Sequence, residues 1–261
     1  MGQMGHLKKK FKYINSIGVF DIFDKYIWLV KITYNKINMS ASQPQAEQKG
    51  LWEELHILRS EKQKGLQDTP NSFASRCAQL VKQSATILEI GAWTGRDARH
   101  FARQKGCHVV ACDFSQTAID QLIQANLESG LSNNITPVVS DMQSIPLDKL
   151  GYMYDGLYAR SSLHLSDEQL YRLFDRLYPR LNEGALIMVA WKTHWDFRID
   201  RSKVIGPNLL EDIDGHVRRL WSEKSVENLQ QRYWFQLLEV FTGSIVRPDK
   251  KIGFIEVIGK K

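Results

Sequence analysis

From residue 85 onward, short apolar runs alternate with segments whose apolar residues recur every three to four positions. Ala85–Ile90, His108–Cys112, Ile135–Val139, Gly156–Ala159 and Ala185–Trp191 are runs of the first kind, as expected of strands buried on both faces. Between them, Asp97–Gln104 and Asp167–Leu181 predict amphipathic helices, and so does the segment that Ser115 opens. That segment sets Ile119, Leu122, Ile123 and Leu127 on one face. Ser115 suits its N-cap and Gly130 its end. Two helices precede the first strand: Gln48–Leu58, with Leu51, Trp52, Leu55 and Leu58 as the inward face, and Ser72–Lys82, with Phe73, Cys77, Leu80 and Val81. The tail predicts a helix over Glu223–Gln231 and strands over Phe235–Phe241 and Ile252–Ile258. Strands separated by helices of this length give βαβ units and a mostly parallel sheet covered on both faces. No internal repeat or low-complexity tract interrupts the pattern.

The amino-terminal segment does not share it. Residues 8–39 are rich in Lys, Ile, Asn, Tyr and Phe and hold no Arg. The apolar stretch from Ile14 to Ile32 is broken by Asp21, Asp24, Lys25 and Lys31, which makes it costly to place in a bilayer. It also lacks the compact apolar core and small-residue cleavage site of a secretory signal. Residues 1–45 are therefore read as an extension or linker, disordered or an over-long gene start ahead of Met39, and residues 46–261 as the folded domain.

Charge and cysteines narrow the partners. The formal net charge is +6, but residues 1–39 hold seven Lys against two acidic residues, so the remainder is nearly neutral. That distribution gives little support for a nucleic-acid partner. Cys77, Cys107 and Cys112 lie among apolar neighbours without metal-ligand spacing. No metal site is expected, and free thiols fit a reducing, cytoplasmic setting.

On a sheet of this kind, ligands bind at the carboxyl ends of the strands near the switch in strand order. The polar residues there are Glu89, Gly91 and Gly95 after the first strand, Asp113 after the second and Asp141 after the third. Arg160, Ser161 and His164 follow the fourth. Asp113 stands where a carboxylate accepts both hydroxyls of a ribose, and Asp141 where one accepts from an adenine amino group. The glycine spacing is E-x-G-x-x-x-G. A dinucleotide fingerprint would need glycine at Trp93 and Arg96, and no GK[ST] follows for a P-loop. A nucleoside ligand without phosphates needs less backbone space.

Ile87–Asp97 (ILEIGAWTGRD) resembles the first motif of class I S-adenosylmethionine-dependent methyltransferases. Val109–Ser115 (VVACDFS) is similar to their second-strand motif, Ser140–Met142 with Ile145–Leu147 to their adenine loop, Tyr154–His164 to their fourth-strand motif, and Leu181–Ile187 to the turn into the fifth strand. The likeness covers roughly residues 50–261. It implies a doubly wound, Rossmann-like, mostly parallel seven-stranded sheet with helices on both faces, and an enzyme that methylates a small-molecule acceptor with S-adenosyl-L-methionine as cofactor. Carried onto this chain, it assigns the cofactor to Glu89, Gly91, Ala92, Gly95, Asp113, Phe114, Asp141, Met142 and Arg160. The departure is Trp93, where the family has glycine: its side chain must point away from the cofactor or cover it.

The implied reaction is displacement at a sulfonium methyl, in which the protein aligns the acceptor and excludes water. Trp93, Tyr158 and Trp191 are aromatic faces for a cationic methyl. His164 is the candidate general base, or else a polar residue that opens a helix. Arg160 fixes an acidic substrate or pairs locally, and Trp52 and Trp195 are candidate substrate contacts. Residues 192–219, with His194, Trp195, Phe197, Arg198 and Arg201, are long for a loop and read as a lid or a partly helical connection. A non-catalytic cofactor-binding relative and an RNA methyltransferase using the basic amino terminus remain as alternatives.

Overall fold

A strand buried on both faces must alternate its side chains between two helical layers, and the first strand does so. In the computed structural model, which describes residues 45–62, 68–196, 199, 202–247 and 250–261, β1 (Thr86–Ile90) sends Ile87 to one layer and Leu88 and Ile90 to the other. The Ile87 side is covered by α2 (Ser72–Leu80), α3 (Arg96–Lys105) and α4 (Gln116–Glu128) through Phe73, Phe101, Ile119 and Leu122. The Leu88 side is covered by α6 (Asp167–Leu177) and α7 (Glu223–Tyr233) through Leu170, Phe174, Val226 and Leu229. α1 (Gln45–Lys62) precedes these elements, and the single-turn α5 (Leu147–Leu150) lies between the third and fourth strands.

The parallel strands run in the order β3 (Ile135–Val139), β2 (His108–Asp113), β1, β4 (Tyr154–Arg160), β5 (Leu181–Thr193). The order turns back between β1 and β4, so the switch point falls at the glycine turn after β1. β10 (Lys250–Lys260) pairs antiparallel with β5, and β9 (Gln236–Arg247) with β10. These seven strands are the doubly wound sheet expected from the sequence. Of the expected extension 1–45, residues 1–44 lie outside the described residues, and Gln45 opens α1.

Three further strands correct the reading of residues 192–219 as a loop or part helix. β6 (Lys203–Gly206), β7 (Leu209–Glu211) and β8 (Val217–Trp221) form an antiparallel meander. β5 runs past the end of β4: Arg160 is opposite Ala190, and Lys192 is opposite both Phe254 of β10 and Leu220 of β8. A strand has two edges, so β8 takes the edge that β4 leaves. The meander is thereby fixed beside the carboxyl end of β4, at the level where ligands bind.

α1 also differs from expectation. Its predicted inward face included Leu58, but Leu58 is 52% exposed and Ile57 41%, whereas His56 is buried. The helix turns a polar and aromatic face toward the sheet.

Candidate active site

The floor of the site is the turn from β1 into α3. Gly91 has φ +76°, and a Cβ there would overlap the side chain of Ser162. No residue but glycine meets both conditions without strain. The N–H groups of Gly91 and Ala92 donate to the carbonyl of Cys112 at 2.8 and 3.0 Å, which ties the turn to the end of β2. Ser162 Oγ donates to the Ile90 carbonyl at 2.7 Å. Gly95, at φ +72°, is the N-cap of α3, and a Cβ on it would come within 2.7 Å of Leu122 Cγ. Arg99, fully buried, donates to the Thr94 carbonyl at 2.6 Å and to Asp68 Oδ1 at 2.7 Å. Ser162, Arg99 and Asp68 hold the turn and were not picked out from the sequence, because each acts through one backbone or carboxylate contact that no spacing announces.

Asp113 closes the end of β2 onto this turn. It accepts from the N–H of Trp93 at 2.9 Å and from that of Ser115 at 3.0 Å. An ionised carboxylate offers about four acceptor positions, so two remain for a ligand. Burial raises its pKa, opposed by those two N–H groups and by His56. Trp93 adopts φ +49°, a left-handed conformation that a residue with a Cβ takes only at a cost. Its indole lies beside His56 at 6.3 Å between ring centres and below the Arg59 guanidinium at 5.9 Å. Glu89 is buried, and burial, then the nearby Asp97, pushes its pKa well above the usual carboxylate range. It is held toward its neutral form.

Asp141 divides its carboxylate between two tasks. Oδ1 accepts from the N–H of Gln143 at 2.8 Å, capping a short helical turn over Met142–Ser144, and Oδ2 meets Lys49 Nζ at 3.2 Å. Met142 packs half-buried on the core. Phe114 stacks with His56, ring centres 5.9 Å apart. Ala92 is buried, and Arg160 is exposed at the end of β4.

The acceptor side gathers around Trp52. Its indole stacks on His164 (5.4 Å, 9°), meets His216 edge-on at 4.6 Å and lies under the Arg218 guanidinium at 4.8 Å. His164 Nδ1 accepts the N–H of Arg219 at 3.3 Å. An N–H donor at Nδ1 requires a lone pair there, so the neutral ring carries its proton on Nε2. Arg219 in turn donates to the Leu165 carbonyl at 2.8 Å and pairs with Asp167. Asp212, Asp214 and His216 lie close enough to suggest a metal site. Asp212 is instead engaged by Arg218 Nε at 2.5 Å and by the N–H groups of Asp214 and His216, an ordinary closure of the β7–β8 turn.

Two aromatic expectations are corrected. Tyr158 is buried away from the strand ends, packed on Phe73 and Phe101 with its hydroxyl donating to Asp97 at 2.9 Å. Trp191 stacks on Trp221 at 3.5 Å and is buried. Trp195 is half exposed beyond the end of β5, beside Lys251 of β10. Phe197, Arg198 and Arg201 lie outside the described residues. Lys49, His56, His216 and Arg218 join the site although the sequence reading passed over them. The one signal was the four-residue recurrence of Gln48, Trp52 and His56 along one helix face.

Comparison with known proteins agrees with this geometry. Residues 87–184, from β1 to the turn inside β5, match the family described as "Methyltransferase domain". A stretch of 122 residues is 27% identical to sarcosine/dimethylglycine N-methyltransferase of Halorhodospira halochloris, covering 45% of this chain and 43% of that protein. The match therefore spans less than half of that relative's length. Among solved structures, 1,6-didemethyltoxoflavin-N1-methyltransferase of Burkholderia thailandensis, with bound 1,6-didemethyltoxoflavin and S-adenosylhomocysteine, shares the fold at a TM-score of 0.59. It is 14% identical, with 86% of this chain and 93% of that one covered. The glycopeptide N-methyltransferase MtfA complexed with sinefungin does so at 0.53, 18% identity, and 75% and 88% coverage. The chain thus shares a methyltransferase-domain match over residues 87–184 and the fold of these solved methyltransferases.

Proposed function

We propose that this chain is a class I methyltransferase that binds S-adenosyl-L-methionine at the β1–β2–β3 strand ends and transfers its methyl group to a small-molecule acceptor held under Trp52 and His164, with residues 46–261 as the catalytic domain. The observation that carries the reading is the joining of the Gly91 turn to Asp113. A backbone with no room for a side chain faces a buried carboxylate that keeps two acceptor positions. The residues fit the cofactor in a second respect: Glu89 Oε2, Trp93 Nε1 and His56 Nδ1 are buried with no hydrogen-bond partner among the described residues. Buried polar atoms are normally satisfied, and a ligand bearing an ammonium group, hydroxyls and ring nitrogens supplies partners.

When bound, the cofactor supplies an electrophilic sulfonium methyl to the acceptor's lone pair. The chain's own part is alignment and exclusion of water. Asp113 would accept the ribose hydroxyls and Asp141 the adenine amino group, and Gly91 and Ala92 would let the methionine part approach the backbone. Glu89 and Trp93 would line the site of that part. His164, its Nδ1 held by Arg219, presents an Nε2–H and orients an acceptor by donating to it. In this arrangement it removes no proton through Nδ1. The small-molecule reading is supported by the acceptors in the names of the two relatives above and by the near-neutral body of the chain.

Calorimetric titration with S-adenosylhomocysteine tests the reading. The wild-type chain should bind. Asp113→Ala should bind about ten- to a hundredfold more weakly, the loss of hydrogen bonds to a charged group. Equal affinity in a folded variant, or no heat from the wild type at millimolar ligand, would sink it.

A further inference from the structure

α1 stands on both halves of the proposed site at once. Toward the cofactor half, Lys49 pairs with Asp141, Glu53 accepts the N–H of Thr117 at 3.3 Å, and His56 stacks on Phe114. Toward the acceptor half, Gln48 donates to the Gly215 carbonyl at 2.9 Å and accepts from the N–H of Val217 at 2.8 Å. The Leu51 carbonyl meets His216 Nε2 at 3.2 Å, and Trp52 stacks on His164. Two of the residues contacted on the cofactor side, Asp141 and Phe114, are among those proposed to hold the cofactor, so α1 side chains and the nucleoside compete for them.

The helix is also docked in an unusual sense. A helix that is a permanent part of a fold buries its apolar stripe. α1 half-buries Leu51 and Leu55 but leaves Ile57 and Leu58 to solvent, and its directed contacts are made by charged, amide and aromatic side chains. Such contacts are solvated easily when broken, which suits a reversible attachment.

We propose that α1 is a latch that closes the cofactor and acceptor halves together, so that admitting the cofactor requires release of contacts to the β7–β8 turn. The proposal rests on the cofactor reading above and adds a coupling to it. A contact on the far half, which touches no cofactor residue, then controls cofactor affinity. If the binding-competent state is a fraction of the population, apparent affinity rises as that fraction rises.

The test is Gln48→Ala in the full chain, with S-adenosylhomocysteine as probe. Calorimetry should show about three- to tenfold tighter binding than wild type, and stopped-flow tryptophan fluorescence a faster association. Hydrogen exchange supplies a readout independent of any variant: amides of α1 should exchange faster in the wild-type protein when the ligand is present. Unchanged or weaker binding by the variant, or slower exchange of α1 on ligand addition, overturns the latch while leaving the cofactor reading intact. Absence of binding by both wild type and variant, with the fold retained, overturns both.

Discussion

The floor and the roof of the site are built by opposite means. The β1–α3 turn is held by main-chain groups and fully buried side chains: Gly91, Ala92 and Cys112 through backbone hydrogen bonds, Arg99 from a position with no exposure at all. α1 is held by side chains reaching across, among them Lys49, which is 44% exposed. A floor of backbone has one geometry and yields little. A roof of solvated side chains has several states of similar energy, and its contacts with the site are the ones that can be exchanged for a ligand.

The largest effect should come from the floor. Gly91→Ala forces a left-handed backbone on a residue with a Cβ and drives that Cβ into Ser162. The two terms together should cost about 2–4 kcal/mol, read as a shifted urea midpoint, and should abolish cofactor binding. A variant that keeps wild-type stability would mean the turn is not rigid, and the contrast with α1 would fail. Next in size is Arg99→Ala, which leaves the Thr94 carbonyl without its partner and Asp68 with Arg103 alone. Asp68 is partly solvated, so the loss should be about 2–3 kcal/mol, below that of a fully buried pair. The measurement is again denaturant unfolding, with the cofactor affinity expected to fall in parallel.

This contrast also decides what could be read from the sequence. The floor was legible because its requirements are local. A buried strand needs an apolar run and a tight turn needs glycine, so the turn at Gly91 and Gly95 and the acidic residue Asp113 that closes on it could be located in advance. The roof was not, for two physical reasons. β6, β7 and β8 are three to five residues long, too short for a two-residue alternation to stand out, and their pairing is set by the overhang of β5 beyond β4. In α1 the expected inward residues Leu51, Trp52 and Leu55 are half-buried and Leu58 is exposed; what apolar spacing does not mark is the recruitment of Gln48 and His56 beside Trp52. Tyr158 erred in the other direction. A tyrosine in the fourth strand invites a role near the ligand, but its position in the alternation aims it into the core beneath α2 and α3.

A smaller effect bears on the acid at the base of the floor. The Glu89 carboxyl has its pKa raised well above its ordinary 4.5 by burial and by Asp97. A carboxyl raised on folding binds more protons in the folded than in the unfolded chain, so its contribution to stability is complete below the unfolded value and is lost as pH rises through the window above about 4.5. Glu89→Gln removes that titration. The variant should lose less stability than the wild type between acid and neutral pH, in thermal melts at matched ionic strength. Parallel curves for the two proteins would show that Glu89 ionises freely and is not held in its neutral form.

The smallest effect on stability should come from the roof. Lys49 and Asp141 form a partly solvated pair, and such pairs contribute about 0–1 kcal/mol. Lys49→Ala should therefore leave the melting temperature almost unchanged, by the same measurement that finds a large loss for Gly91→Ala. The informative quantity is the ratio of the two readouts. On the floor, stability and cofactor affinity fall together, because the same rigid geometry serves both. On the roof they separate, because Lys49 holds a carboxylate that the adenine needs: stability stays while S-adenosylhomocysteine binds more tightly, with less salt dependence. If Lys49→Ala instead weakens binding in proportion to a loss of stability, α1 is as much part of the rigid scaffold as the glycine turn, and the division between floor and roof is wrong.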